Sequence, residues 1–194
     1  MTKFANRWLG KTVVCIASGP SLTVDDCERV RASGHVSIVT NTTFRIAPWA
    51  HVLMAHDEAW WAAYAKEVDS VFVGERVTCA SRGMAYGARP LRLEPGFRGF
   101  ANSGAAAVSL AVFAGAARVI MLGYDCKYGA DGAAHWHEKH PSPLGNAKSI
   151  KAWPAKFKAL AQYARGRRCE VLNATRDTAL ACFPLISLEK ALAR

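Results

Sequence analysis

Short apolar runs alternate with longer mixed segments along the 194-residue chain. The runs at 12–17 and 36–40 are continuous and rich in Val and Ile, which predicts strands buried on both faces of a parallel sheet. Similar runs predict further strands at 51–55, 70–73, 76–79, 118–122 and 169–172. Because each run is only four to six residues long, strands are favoured over buried helices.

The segments between these runs have helical signals, and they predict helices at 23–32, 58–67, 102–116, 153–165 and 187–193. Asp57 and Asn102 are suitable N-caps, Gly34 is a helix-stop residue and Pro154 falls in a first turn. Strand and helix therefore alternate. This order predicts an α/β, Rossmann-like fold, with a mostly parallel sheet, helices on both faces and a single domain over 1–194.

Two segments have no clear period. The Gly-, Arg- and Pro-rich stretch 81–101 predicts a loop, whereas the polar, His-rich stretch 126–147 is long enough to predict a functional loop or lid. Trp60, Trp61 and Tyr64 follow Asp57 at helical spacing. We favour a core stripe for these aromatic residues over a stacking platform for a ligand.

Cysteine usage and hydropathy indicate a cytoplasmic protein. The six cysteines are spread singly, with no Cys-x-x-Cys pair, which favours reduced structural thiols. No apolar run is long enough to span a bilayer, and the N-terminus has no signal-peptide pattern.

The net charge of +10 changes the expected partners. Basic residues concentrate in 76–98 and 139–168, so a nucleic acid or another polyanion is a candidate partner. A merely soluble basic surface is the alternative, since no nucleic-acid-binding motif accompanies the charge.

Polar residues follow the predicted strands, where a parallel sheet binds its ligands. After the first strand comes Ser18-Gly19-Pro20-Ser21, which we expect to hold a nucleotide phosphate. In this interpretation Gly19 allows a close approach, Pro20 stiffens the turn, and Ser21 supplies a hydroxyl before the helix. The loop matches neither the dinucleotide fingerprint nor the Walker motif, and a plain capped turn is the alternative.

A second helix start and a further strand end complete the predicted crevice. Asn102-Ser103-Gly104 opens a helix in the same way and could hold the other side of a nucleotide, or act only as a cap. Asp125 follows a buried strand directly, where it could bind ribose hydroxyls, a metal or an acceptor, or cap a helix.

Three of the six histidines cluster in the predicted lid: His135, His137 and His140. A general acid or base is one interpretation, because imidazole titrates near neutrality. A zinc site and a solvated polar loop are the others, although the spacing matches no standard zinc motif.

Taken in order, these motifs resemble a family. Residues 13–22 (VVCIASGPSL), Asn41, Asn102-Ser103-Gly104 with its Ala-rich helix, and 121–125 (MLGYD) are similar to the bacterial sialyltransferase-like proteins. That group includes family forty-two glycosyltransferases, motility-accessory proteins of flagellin glycosylation, and 6-hydroxymethylpterin diphosphokinase-like proteins. The resemblance covers about 12–192, and the size suits a small phage-encoded member, hence a host-cytoplasm location.

The resemblance implies a Rossmann-like sheet that binds a nucleotide-activated donor, with a CMP-type nucleotide favoured and no cofactor or metal required. By position, Ser18, Gly19, Pro20, Ser21, Ser103 and Gly104 would contact phosphates, with Asn102 opening the second helix. Asn41 and Asp125 would fix the nucleotide or its sugar. His135 or His137 matches the catalytic base, and Tyr124 and Tyr128 are the candidates for tyrosines that assist the departing phosphate.

Three functions follow from these expectations. The leading one is a glycosyltransferase that moves a sugar to a hydroxyl acceptor, which could be polyanionic, such as modified DNA. The second is a pyrophosphokinase acting on a pterin-like alcohol, with Mg²⁺ held by carboxylates such as Asp57 and Asp125. The third is a non-catalytic nucleotide-binding module.

Overall fold

Seven parallel strands form one sheet in the order β5-β4-β3-β2-β1-β6-β7. The computed structural model describes residues 3–142, 144–145 and 149–193, so positions 143, 146 and 147 of the predicted lid lie outside the described residues. The strands are β1 Thr12–Ile16, β2 Val36–Thr40, β3 Val52–Ala55, β4 Glu75–Thr78, β5 Arg89–Pro90, β6 Arg118–Leu122 and β7 Glu170–Asn173.

Helices cover both faces of this sheet. They are α1 Val24–Ser33, α2 Glu58–Val71, α3 Ser103–Phe113, α4 Trp153–Gly166 and α5 Leu188–Leu192. Helices α3 and α4 pack on one face together with Phe4 and Trp8, whereas α1, α2 and α5 pack on the other. The predicted α/β, Rossmann-like fold with a single parallel sheet is therefore confirmed.

The sheet has a hydrophobic core on each face, because successive side chains along a strand point to opposite faces. In β1, the side chains of Val13 and Cys15 enter the core under α3 and α4, while Val14 and Ile16 enter the core under α1 and α2. All four are fully buried. A continuous apolar run is therefore required at this central strand, because both of its faces are covered.

The prediction of a strand at 70–73 is wrong, whereas the strand predicted at 76–79 is present as β4. Helix α2 continues to Val71, and a single strand, β4, follows. Val68 and Phe72 lie four residues apart and are both buried, while Val73 is 89% exposed. Burial at the helical spacing of four thus decides the conformation of a run that also fits a strand.

The other boundaries need smaller corrections. The segment 81–101, predicted as a loop, contains 3-10 turns at Gly83–Tyr86 and Leu91–Leu93 and the two-residue edge strand β5. Asp57 occupies the N-cap position of α2, but its side chain forms no capping bond there and contacts His56 instead.

Helix α3 is buried along its whole length, from Ser103 to Phe113. It contacts β1, β2, β3 and β6 on one side and α4 on the other. Small side chains allow the α3 backbone to pack closely against the strands and α4, as a helix enclosed on every side must. The Ala-rich composition of the segment is thus a packing requirement of the central layer.

In the described part of the chain, no helix is long and apolar enough to cross a membrane. All six cysteines are free thiols, and Cys15, Cys27 and Cys169 are buried. These residues fill core positions as small apolar groups.

Enlarging a side chain in the middle of α3 should destabilise the fold. Ala107 is fully buried, so Ala107→Leu is expected to lower the free energy of unfolding by about 1–3 kcal/mol through overpacking. The matched control is Ala159→Leu on the exposed side of α4, with an expected change within about 0.5 kcal/mol. Urea unfolding followed by tryptophan fluorescence measures both, and equal losses would contradict the packing of α3.

Candidate functional site

A cleft of about 530 Å³ opens at the carboxyl ends of the central strands. Successive strands run outward from β1 to β5, and the chain then returns through α3 to place β6 on the other side of β1. The strand order therefore reverses between β1 and β6, which is where an open parallel sheet binds its ligand. The volume lies within the range of small-molecule sites.

The cleft gathers most of the predicted site residues. Its walls include Ser18, Gly19, Pro20, Asn41, Asn102, Ser103, Gly104, Tyr124 and His135. His140 of the predicted histidine cluster also lines the cleft, and His56, Lys127, Trp153 and Lys156 join it without a predicted ligand contact. The expectation that ligands bind beyond the carboxyl ends of parallel strands thus located the cleft. No local sequence pattern indicated that Lys127 and Lys156 would line it.

Most backbone donors of the loop after β1 are already bonded within the protein. Gly19 N–H donates to the carbonyl of Gly123 at 2.8 Å, and Ser21 N–H donates to Oδ2 of Asp125 at 3.0 Å. Leu22 N–H donates to the Gly19 carbonyl at 3.1 Å, and Pro20 has no N–H. The phosphate contact of this loop stays a prediction, with fewer donors to make it: the N–H groups of Gly19 and Ser21 hold the loop to the end of β6.

Asp125 occupies the place where we expected a ligand anion. The residue is 2% exposed, and burial raises the pKa of its carboxyl, while hydrogen bonds from Ser21 oppose that rise. Its Oδ1 atom is buried and has no hydrogen-bond partner among the described residues. Asp125 thus shapes the loop from beneath, and its position does not favour a direct contact with a nucleotide sugar.

Gly19 is required for this approach of Asp125. A Cβ atom at position 19 would overlap Oδ1 of Asp125 and lie 2.5 Å from the carbonyl oxygen of Gly123. The close approach predicted for Gly19 is therefore real, but its partner is the β6 loop of the same chain.

Helix α1 begins later than predicted and is already capped. Thr23, not Ser21, is the N-cap, and Thr23 and Asp26 form a reciprocal capping box. Arg176 pairs with the Asp26 carboxylate through two guanidinium nitrogens. Burial opposes ionisation of Asp26, but the hydrogen bonds from Arg176 and Thr23 lower its pKa overall. A carboxylate at this helix end disfavours a second anion there.

Helix α3 presents the better anion site. Asn102 Oδ1 caps the Ala105 N–H at 3.0 Å, and neither Ser103 nor Gly104 has a backbone N–H partner among the described residues. Its first turn contains no acidic residue. The hydroxyl of Ser103 accepts a hydrogen bond from His56 N–H at 3.0 Å, so its own proton remains for a ligand.

Tyr124 supports this helix end from below. Its hydroxyl donates to the Gly104 carbonyl at 3.1 Å, and the residue is only 2% exposed. Burial raises the pKa of the phenol far above its ordinary value. A Cβ at Gly104 would lie 3.0 Å from the Tyr124 ring. This geometry suits a positioning residue better than the catalytic group that we predicted, and Tyr128 is 45% exposed.

Two lysines bring positive charge to the cleft. Lys156 donates to the Ala101 carbonyl at 3.0 Å, directly before the α3 start, and Lys127 pairs with Asp177. Asp57 lies beside them, and its pKa is lowered by a hydrogen bond from His56 and further by Lys156. Asn41 contributes from the end of β2, with a left-handed φ of 49°.

The His-rich segment covers the cleft and the β1 loop. Nδ1 of His135 lies 3.2 Å from the Ser18 hydroxyl, and Trp136 N–H donates to the Ser18 carbonyl at 3.2 Å. Nε2 of His135 is buried without a hydrogen-bond partner among the described residues. With Nδ1–H donated toward Ser18, Nε2 carries the lone pair. Burial and the neighbouring His137 and His140 lower the His135 pKa to about 4.

The other two imidazoles are held by protein groups. His137 contacts the Thr42 hydroxyl with Nε2 and the Glu138 carbonyl with Nδ1, both at 2.6 Å. His140 contacts the Tyr64 hydroxyl with Nδ1 at 2.9 Å, and burial followed by the charges of His137 and Arg45 lowers its pKa to about 4. Of the two predicted bases, His135 lines the cleft, while His137 has both ring nitrogens bonded internally.

The zinc interpretation has no support from the geometry. The rings of His135 and His137 stack in parallel at 4.9 Å between centroids, so their nitrogens do not converge on one ion. Over residues 3–142, 144–145 and 149–193, no group of three His, Cys, Asp or Glu is arranged to hold a metal. Asp57 and Asp125, the carboxylates of the pyrophosphokinase alternative, belong to no such group.

The aromatic stripe of α2 forms part of the core, as predicted. Trp61 is fully buried and donates from Nε1 to the Ala55 carbonyl at 3.1 Å, while Trp60 and Tyr64 are 4% and 7% exposed. Trp60 also reaches the cleft wall, and Tyr64 anchors His140. The stripe therefore connects the core to the His-rich segment.

Replacing Gly19 should disturb the contact between the β1 and β6 loops. Gly19→Ala is expected to lower the free energy of unfolding by about 1–3 kcal/mol, because the new Cβ overlaps the Asp125 carboxylate. The control is Gly166→Ala, where an added Cβ meets no atom within 4 Å and should be neutral or stabilising. Chemical denaturation measures both, and a neutral Gly19→Ala would disprove the close approach.

Stability should fall as the pH drops from 7 to 5. The pKa values of His135 and His140 are about 4 in the fold but near 6.5 when the chain unfolds, so below pH 6.5 only the unfolded chain takes up these protons. The double variant His135→Gln/His140→Gln should lose less stability over this interval, by on the order of 5 °C in midpoint. Thermal unfolding by circular dichroism tests this, and parallel pH curves for both proteins would refute it.

Comparison with known proteins gives little similarity. The sequence matches no protein-family model and no curated protein. One similar solved structure is the UDP-glucose 4-epimerase from Brucella ovis in complex with NAD, with 12% identity, a TM-score of 0.33, and 86% of this chain and 51% of the epimerase covered. Another is the TTHB071 protein from Thermus thermophilus soaked with ZnCl₂, with 11% identity, a TM-score of 0.22, and 84% and 55% covered. The chain spans about half the length of each of these proteins. The assignment of its fold depends on the strand order described above.

Proposed function

We propose that this protein is a transferase that binds a nucleotide-activated sugar in the β1–β6 cleft and transfers the sugar to a hydroxyl acceptor. The observation that carries the proposal is the pairing of a neutral imidazole with an anion site in the same cleft. His135 supplies the imidazole, and the amides of Ser103 and Gly104 form the anion site. Transfer from a phosphate leaving group needs both functions.

The donor phosphate is assigned to the start of α3. The Ser103 and Gly104 amides, the helix dipole and the Ser103 hydroxyl all favour negative charge at this point. Lys156 adds a cation next to the same turn through its bond to the Ala101 carbonyl. Asn41 and the edge of Trp60 are then available for the nucleoside, and the resemblance to the sialyltransferase-like proteins favours cytidine.

His135 is assigned as the general base. Its Nε2 atom is buried in the structure, so acceptor binding must first open the segment over it; Nε2 then accepts the proton of the acceptor hydroxyl as the acceptor oxygen bonds to the anomeric carbon. The bond between that carbon and the phosphate oxygen breaks, and the departing phosphate keeps the electron pair. The α3 amides and Lys156 stabilise this developing charge. Because the His135 pKa is about 4, the imidazole is neutral at pH 7 and its lone pair carries no proton.

A pair of variants tests this assignment. His135→Gln should reduce turnover by about 100-fold or more, the usual contribution of a general base, and leave nucleotide affinity nearly unchanged. His137→Gln is the matched control, because its ring bonds to Thr42 and Glu138 rather than to a ligand. Nucleotide release from CMP-, UDP- and GDP-activated sugars, with lactose as acceptor, measures turnover, and calorimetry with CMP, UMP and AMP measures binding.

The expected result is a cytidine preference with loss of turnover confined to His135→Gln. Equal turnover in that variant and the wild type would overturn the role of His135. Mg²⁺-dependent release of AMP from ATP would instead indicate the pyrophosphokinase. Tight nucleotide binding without turnover of any donor would indicate a binding module.

A further inference from the structure

Positive charge is segregated to one side of the sheet. The sequence contains no Asp or Glu between positions 95 and 124 or between 139 and 169, and these segments supply α3 and α4. On the other side, α1, α2 and α5 contain Asp25, Glu28, Glu67, Asp69 and Glu189 among their acidic residues. The net charge of +10 is therefore concentrated on the α4 side of the molecule.

The cations of α4 and its flanking turns lack the ion pairs found on the opposite side. There, Arg29 pairs with Asp25 and Glu189, and Arg45 pairs with Glu67. Among the described residues, no carboxylate lies within ion-pair distance of Lys151, Lys158, Arg165, Arg167 or Arg168. All five of these residues are exposed.

Three of these residues form a row. Lys151, Lys158 and Arg165 follow one another at intervals of seven, which places them on one side of the helix and of the turn before it. Burial raises the pKa of the Cys182 thiol, and the charges of Lys158 and Arg165 oppose that rise, so both cations lie on the side of α4 that faces Cys182. The side of α4 that includes Phe157, Leu160 and Ala164 is buried against the sheet, and the row lies beside it. We call Lys151, Lys158 and Arg165 the α4 basic face.

We propose that the α4 basic face binds the phosphate backbone of a nucleic acid. The row spans about 20 Å, a length over which one strand of B-form DNA carries about six phosphates. Arginine and lysine without carboxylate partners are the groups that neutralise such phosphates. The same helix enters the cleft at its first turns through Trp153 and Lys156.

The composition of this face favours a nucleic acid over a membrane. Between the cations lie Ala155, Ala159 and Gln162, and these are the exposed uncharged side chains of the helix. A helix that lies in a membrane surface needs bulky apolar side chains to insert, and those of α4 are already buried in the core. The face can therefore bind charge but presents little apolar surface.

This inference rests on the proposed function in one respect: the nucleic acid would then carry the acceptor hydroxyl. Binding itself requires neither donor nor turnover. The two proposals can therefore fail separately, since calorimetry with CMP reports on the cleft and retention of DNA reports on the α4 basic face.

Matched charge variants test the proposal. The first is the triple variant Lys151→Gln/Lys158→Gln/Arg165→Gln. Its control is Lys11→Gln/Lys66→Gln/Lys190→Gln, which removes the same charge from exposed positions outside α4. Fluorescence anisotropy of a labelled DNA of about 20 nucleotides, single-stranded and duplex, is measured for each protein from about 50 to 300 mM NaCl.

We expect the wild type and the control to bind alike. The α4 variant should bind duplex DNA roughly tenfold or more weakly at about 100 mM NaCl, and its slope of log affinity against log salt should be smaller by about 2–3, since each lost phosphate contact removes about 0.9. Its affinity for CMP should match the wild type.

Three results would overturn the proposal: equal weakening in both triple variants, no DNA binding by the wild type at about 50 mM NaCl, or displacement of DNA by poly-glutamate at equal charge. Retention of the protein on vesicles with about one-third phosphatidylglycerol, without binding of DNA, would also overturn it and indicate an anionic membrane.

Discussion

The hydrogen bond between the Asp125 carboxylate and the Ser21 amide is the interaction on which the site depends. It joins the loops that follow β1 and β6. Between these two parallel strands, the order in which the chain adds strands to the sheet reverses. Hydrogen bonds offset the cost of burying the carboxylate, and Gly19 leaves room for it. The Gly19–Gly123 backbone bond lies beside this contact, so the floor of the cleft is fixed by groups that a ligand does not have to order.

The N-termini of α1 and α3, which both lie near the cleft, have different roles. At α1, Thr23, Asp26 and Arg176 satisfy one another and complete a structural corner. At α3, the amides of Ser103 and Gly104 stay open while Tyr124 holds the turn from below. A motif typical of phosphate binding can therefore serve as scaffold, and a neighbouring turn with a weaker motif can hold the ligand. Accounting for each backbone donor distinguishes the two cases.

The sequence predicted the fold better than it predicted the division of roles in the site. Strands β1, β2 and β6 are continuous apolar runs because both of their faces are buried, so their bounds followed from the pattern alone. At 70–73 the run fits either period, and only the packing of Val68 and Phe72 decides between them. The roles of Asp125, Lys156 and His140 depend on contacts with residues 104, 55 and 76 positions away, which no local pattern encodes.

Helix α3 has a consequence for how binding and folding are linked. It has no solvated side, and it is enclosed by strands from both halves of the chain and by α4. Its first turn therefore reaches its place only when β1 to β3, β6 and α4 are all assembled. A ligand held at Ser103 and Gly104 recognises the completed fold and not a partly folded form, so it stabilises the native state by RT ln(1 + c/Kd), where c is its free concentration. The free energy of unfolding should therefore rise with the concentration of any ligand that binds at this turn.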